Sequence, residues 1–154
     1  MKKLLFAVLC IMTVHCANKQ VVRFERYSVS MNLPIESDST VYIGTPEKFV
    51  GLLSLAPILK AENIDINAVK LIENYGKYYV CADQFKNIWL IDPKGDGMTA
   101  KYKAIDVTPE DQTDSLNETG FARYGSGDRV CIKFRFNQKE MFINKKGIVH
   151  EICE

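Results

Sequence analysis

The sequence predicts an α+β fold, a mostly antiparallel β-sheet of hairpins with one main packed helix. Three observations lead there. Short β-branched and aromatic runs follow one another through turns rich in Gly, Asn and Asp, which joins neighbours antiparallel and leaves no room for the long crossovers of a parallel sheet. One segment, residues 46–60, couples helix-start chemistry to a long apolar stretch. The 154 residues are 47% hydrophobic and 25% charged, which excludes a wholly disordered or collagen-like chain.

The first seventeen residues read as an export signal. Lys2 and Lys3 make the positive start, and Leu4 to Val14 is an apolar run of eleven residues. That is too short to span a bilayer but suits the hydrophobic centre of a signal peptide, here of bacterial appearance. Two endings stay open. Val14-His15-Cys16 suits ordinary cleavage on either side of Ala17, whereas in a lipoprotein Cys16 would carry the lipid. Against lipid, His15 stands where such signals place Gly, Ala or Ser, and Thr13 where they place Leu. Residues 18–154 then form one domain. The signal removes two of the 20 basic residues and none of the 19 acidic ones, leaving 18 against 19. A near-neutral domain has no electrostatic reason to condense on nucleic acid or an anionic membrane. No nucleic-acid partner is expected, and membrane contact only through Cys16.

Within the domain, Val29 to Leu33 and Thr40 to Ile43 read as strands around the turn-rich Pro34 to Ser39. The main helix is expected over Pro46–Lys60. Thr45 can cap it, Pro46 fits a first position whose N–H would lack a partner, and Glu47 faces the positive end of the dipole. Phe49, Val50, Leu52, Leu53, Leu55, Ile58 and Leu59 make it apolar nearly all round, hence a core helix, kinked or ended by Pro57. Val69 to Ile72 suits either a short helix capped by Asp65 or a strand. Lys77 to Ala82, Asn87 to Ile91 and Thr99 to Ala104 are strands. Thr108-Pro109-Glu110 then opens a polar stretch fit only for a short surface helix. Gly120 to Tyr124, Arg129 to Phe136, Glu140 to Ile143 and Ile148 to Ile152 close the chain as antiparallel strands.

An internal echo starts at residue 64. Ile64-Asp65-Ile66 recurs as Ile105-Asp106-Val107, 41 residues on, and the stretch from Tyr79 to Leu90 maps on Phe121 to Ile132 at an offset of 42. The residues Ile64-Asp65, Lys70-Leu71-Ile72, Lys77-Tyr78-Tyr79, Asp83 and Lys86-Asn87-Ile88-Trp89 resemble the DKNYY-type repeat family of exported bacterial proteins, which repeat a strand, an Asp-Lys-Asn turn and an aromatic second strand. Here the turn, Asp83 to Asn87, is two residues longer, Trp89-Leu90 replaces two tyrosines, and Gly125 to Arg129 has lost the motif. The resemblance covers about thirty residues closely and about seventy at its widest. It implies an exported β-hairpin repeat protein and carries no catalytic residues.

Beyond the signal the cysteines are Cys81, Cys131 and Cys153, and an odd number in an oxidising compartment allows one internal disulfide at most. A Cys131–Cys153 bridge between neighbouring strands is one reading. The other makes Cys81 and Cys131 small buried hydrophobes.

The chain is poor in reactive constellations. His150 is the one histidine beyond the signal. There is no His-Glu-x-x-His, no Cys-x-x-Cys, no Gly-x-Ser-x-Gly and no phosphate-cradling loop, because Gly125-Ser126-Gly127 lies in a hairpin turn. A Cys–His pair would need Cys81 or Cys131 beside His150 across strands. Asp92 and Asp96, with Gly97, copy half of a calcium loop, but Lys94 and Lys103 hold positions that need oxygen ligands. Neither a metal nor another cofactor is expected. Glu110, Asp111, Asp114 and Glu118 read as a solvated surface cluster.

These absences point to binding rather than catalysis: an exported protein of the bacterial envelope whose partner is another protein, such as an inhibitor or immunity protein. Two alternatives accompany it, a structural protein anchored through Cys16 and a small thiol- or carboxylate-dependent hydrolase. The expected binding surface is the Tyr79–Asp83/Asn87–Ile91 hairpin with the Asp92–Gly97 loop, through Tyr79, Asp83, Asp92 and Asp96, while Trp89 is assigned to the core.

Overall fold

The computed structural model describes residues 29–44, 50–94, 99–107, 116, 119–126, 129–136 and 138–153. The fold is α+β, mostly antiparallel sheet with a single short helix among the described residues. β1 (Met31–Pro34), β4 (Ala68–Asn74), β5 (Lys77–Cys81), β6 (Asn87–Pro93) and β7 (Ala100–Asp106) form a five-stranded sheet in the order β1-β4-β5-β6-β7. β8 (Phe121–Tyr124), β9 (Cys131–Phe136), β10 (Lys139–Ile143) and β11 (Val149–His150) form a second meander. β2 (Thr40–Gly44) and β3 (Val50–Ser54) pair as a separate hairpin, and α1 (Ala56–Glu62) follows β3 directly.

The expected Pro46–Lys60 helix is corrected here. Its middle is β3, and the helix starts at Ala56 with Pro57 in its first turn. Leu52 is exposed, Leu53 buried, Ser54 exposed and Leu55 buried, the period of a strand; then Leu55, Ile58 and Glu62 are buried at helical spacing. Pro57 opens the helix because the first turn needs no N–H there. Asn63 closes it in the left-handed region, φ 54°. The open choice over Val69 to Ile72 resolves as strand β4. The polar stretch after Thr108 lies outside the described residues apart from Leu116 and Thr119, both buried.

Three layers result. Cross-strand pairing sets Leu71, Val80, Trp89 and Ala104 in one row on the five-stranded sheet, and Ile72, Tyr79, Leu90 and Lys103 in the next row on the opposite face. The first face meets α1 and the β2–β3 hairpin: Trp89 Nε1 donates to Glu62 Oε1 at 2.7 Å, and the Tyr102 hydroxyl to the Ser54 carbonyl at 2.9 Å. The second face meets the four-stranded sheet. There the Tyr79 hydroxyl reaches the Asn144 carbonyl at 3.4 Å, and a Cβ added to Gly147 would sit 3.0 Å from Leu90. One N-terminal segment ties both sheets. Val29 bridges Ala122 on β8, Ser30 N donates to the Phe121 carbonyl, and Met31 pairs with Leu71 on β4.

The two hairpins of the internal echo differ in register. Tyr79 faces Leu90, but Phe121 faces Phe134, two residues beyond the equivalent Ile132. Ile64 to Ile66 precede β4, whereas Ile105 and Asp106 end β7.

Candidate functional site

The hairpin expected at the surface is instead the middle of the molecule. Tyr79 is 0% exposed, so it offers no ring to a partner, and that assignment is corrected. It lies on a strand flanked on both edges and covered on both faces. Burial, with a smaller push from Asp92, raises its hydroxyl to about 12. Asp83 is exposed and pairs with Lys70 at 3.1 Å; Asp92 pairs with Lys77 at 3.6 Å. Asp96 and Cys16 lie outside the described residues. Trp89 is partly buried against the core, tied to Glu62. Glu62 also accepts from Lys86 N at 2.8 Å and Asn87 Nδ2 at 3.0 Å, so this buried carboxylate has three donors.

The sulfurs divide cleanly. Cys131 and Cys153 are joined in a disulfide, with Cα atoms 5.9 Å apart. Cys81 is free and fully buried, its thiol pushed up by desolvation and directed at the Thr119 carbonyl, 3.7 Å away. Neither supplies an accessible thiolate. His150 Nε2 lies 3.2 Å from Asn144 Nδ2, at the mouth of the β10–β11 turn.

A different site emerges where the two sheets meet at one end. The β4–β5 turn and the facing ends of β8 and β9 border a cleft of about 380 Å³, lined by Glu73, Asn74, Tyr75, Gly76, Arg123, Gly125 and Val130. That volume lies in the range of ligand-sized sites. Arg123 crosses from β8 to β4. Its Nε donates to the Glu73 carbonyl at 3.0 Å and its Nη2 to that carbonyl and to Glu73 Oε2, the latter at 2.6 Å. The other oxygen of Glu73 accepts from Gly76 N at 2.6 Å. Buried Asn74 donates to the Val130 carbonyl, and Val130 N donates to the Tyr75 hydroxyl, both at 3.4 Å. Paired acid and base leave the floor of the cleft without net charge.

No protein-family model, no curated protein and no solved structure matches this chain.

The rim of the cleft is apolar and open. Tyr75 is 46% exposed and Tyr124, beside Gly125, 51% exposed. Tyr124 packs on Phe142 with ring centroids 5.0 Å apart, on the face of the four-stranded sheet turned away from the core. Val29, opposite Ala122, and Ile152, next to the disulfide, extend the same exposed surface. A local signal for Tyr75 exists: it stands before Gly76 between two strand-like runs, and the Asn74-Tyr75-Gly76-Lys77 spacing is that of a two-residue turn. Arg123, Tyr124 and Val130 carried no such signal, since their role depends on which sheet packs on which.

Proposed function

We propose that the protein is an exported, non-enzymatic binding protein of the bacterial envelope whose partner is another protein, in its sharpest form an inhibitor or immunity protein that plugs a toxin or hydrolase. Tyr75 carries the reading. It sits at φ 53° before Gly76 at φ 73°, the mirror-image turn in which Asn-Gly is the favoured pair. A bulky residue held in the left-handed region is strained by roughly 1–2 kcal/mol. Here a half-exposed aromatic ring occupies a place where Asn would be better for the fold. Exposed tyrosines on rigid elements supply binding energy at small entropic cost. Tyr124 and Ile152 widen the same surface, and the Arg123–Glu73 pair fixes the cleft beneath it. Export is supported by Lys2, Lys3 and the apolar run to Val14, and by a disulfide, which persists in oxidising compartments.

The test compares wild type with Tyr75→Asn as baits for envelope extract. The expected result is one stoichiometric partner, held at least about tenfold more weakly by the variant, whose thermal midpoint stays level or rises slightly. Recovery of no stoichiometric partner over several salt conditions rejects the function. Equal capture by Tyr75→Asn rejects the site.

A further inference from the structure

We infer that the Cys131–Cys153 disulfide is a redox latch on the cleft, so that the wall made by Gly125, Arg129 and Val130 is held in place only in the oxidised chain. The bond joins the fold near its C-terminal end to the residue immediately after Val130, which lines the cleft and receives the links from Asn74 and Tyr75. Its Cys153 sulfur also lies 3.5 Å from the Arg129 carbonyl and 4.0 Å from the Tyr124 carbonyl, between the end of β8 and the approach to β9. Among the described residues, little else holds the tail there. β11 contributes only Val149 and His150, paired with Ile143 and Phe142, and Glu151, Ile152 and Cys153 belong to no strand. The wall is also conformationally demanding: Gly125 has φ 96°, and a Cβ there would collide with the Arg129 carbonyl. Loops with few backbone pairings are the parts of a fold that open locally while the core stays closed.

Access to the bond is one-sided. Cys131 is buried at 1% exposure whereas Cys153 is half-buried, so a reductant meets the Cys153 sulfur first. A dithiol reacts there by thiolate attack. A mixed disulfide forms on Cys153 as the Cys131–Cys153 bond breaks, and Cys131 departs as a thiolate that takes a proton. The reagent's second thiol then displaces Cys153, leaving two protein thiols and one oxidised cyclic dithiol. Cys81, fully buried in the sheet, takes no part.

Regulation of binding rests on the cleft reading above; the latch itself does not. Hydrogen exchange by NMR on the full chain, oxidised and after reduction with dithiothreitol, decides it. Expected is exchange at least about tenfold faster at Gly125, Val130 and residues 149–153, with the amides of β5 and β6 changed less than about twofold. Cys153→Ser without reductant should reproduce the pattern. Equal acceleration throughout would mean a bond that holds the whole fold, and unchanged exchange at Gly125 and Val130 would mean a wall that stands without it; either overturns the latch. Undiminished partner capture by a reduced chain whose wall has loosened instead overturns the cleft as the binding site.

Discussion

The β5–β6 and β8–β9 hairpins echo each other in sequence but occupy opposite situations. β5 and β6 have a strand on either edge, α1 on one face and the second sheet on the other. Their aromatic residues therefore stabilise the fold: Tyr79 fills the interface between the sheets, and Trp89 ties the sheet to the helix through Glu62. β8 and β9 have one face in the core, on which Phe121, Ile132 and Phe134 are buried, and a second that the described residues cover only in part. The other face holds Tyr124, the ion pair of Lys133 with Glu140 and the disulfide. An aromatic strand is a candidate recognition surface only where the layers run out.

The largest expected difference between the hairpins is in stability. Tyr79→Ala should cost about 3–5 kcal/mol, the usual penalty for deleting a buried ring. Tyr124→Ala, half-exposed, should cost about 1 kcal/mol, mostly its ring contact with Phe142. Urea unfolding of both variants checks this. Similar losses would mean that Tyr124 is as much a part of the core as Tyr79, and the contrast would fail.

A smaller effect sharpens the covered side. Glu62→Ala leaves Lys86 N, Asn87 Nδ2 and Trp89 Nε1 without their acceptor and should destabilise by about 2–3 kcal/mol. Trp89 fluorescence should shift to the red as water reaches the indole. If the spectrum and the urea midpoint stay put, Trp89 is held by packing alone.

The smallest effect is a dependence on alkaline pH. The Tyr79 hydroxyl is raised from 10.0 to about 12 in the fold, so the folded state retains a proton that the unfolded chain releases. Its contribution is intact below about pH 10 and is lost as pH rises toward 12. Tyr79→Phe removes that component, and its stability should fall less steeply than wild type between those values in parallel urea titrations. An unchanged slope would show that Tyr79 reaches water. Tyr78, Tyr102 and Cys81, also raised by burial, leave part of the slope in place.

Much of the fold is legible in residue order. Period-2 alternation and the turn residues locate β1, β2 and the strands from Lys77 to Ile143 to within a few positions, because a strand's side chains alternate wherever only one face is solvated. The region from Val50 to Leu59 is the exception. An unbroken apolar run satisfies the helical and the extended period alike, and Pro57 is equally at home ending one helix and opening another. Pairing with β2 decided the matter. Of the site, Tyr75 and its turn can be read locally, since a two-residue hairpin is specified by adjacent residues.

The sequence by itself determined the signal-like start, the near-neutral charge, the succession of antiparallel strands through turns and the three cysteines available beyond residue 17. Only the tertiary structure decided which sulfurs meet, which tyrosine is inside, and that a cleft opens between Glu73 and Gly125. The physical reason is range. Turn preference and alternation act over two to four residues, whereas burial of Tyr79 depends on Asn144, 65 positions away, and the Arg123–Glu73 contact closes over 50. Such pairings are set by which faces stack together, and two hairpins of nearly the same local pattern can end on opposite sides of that choice.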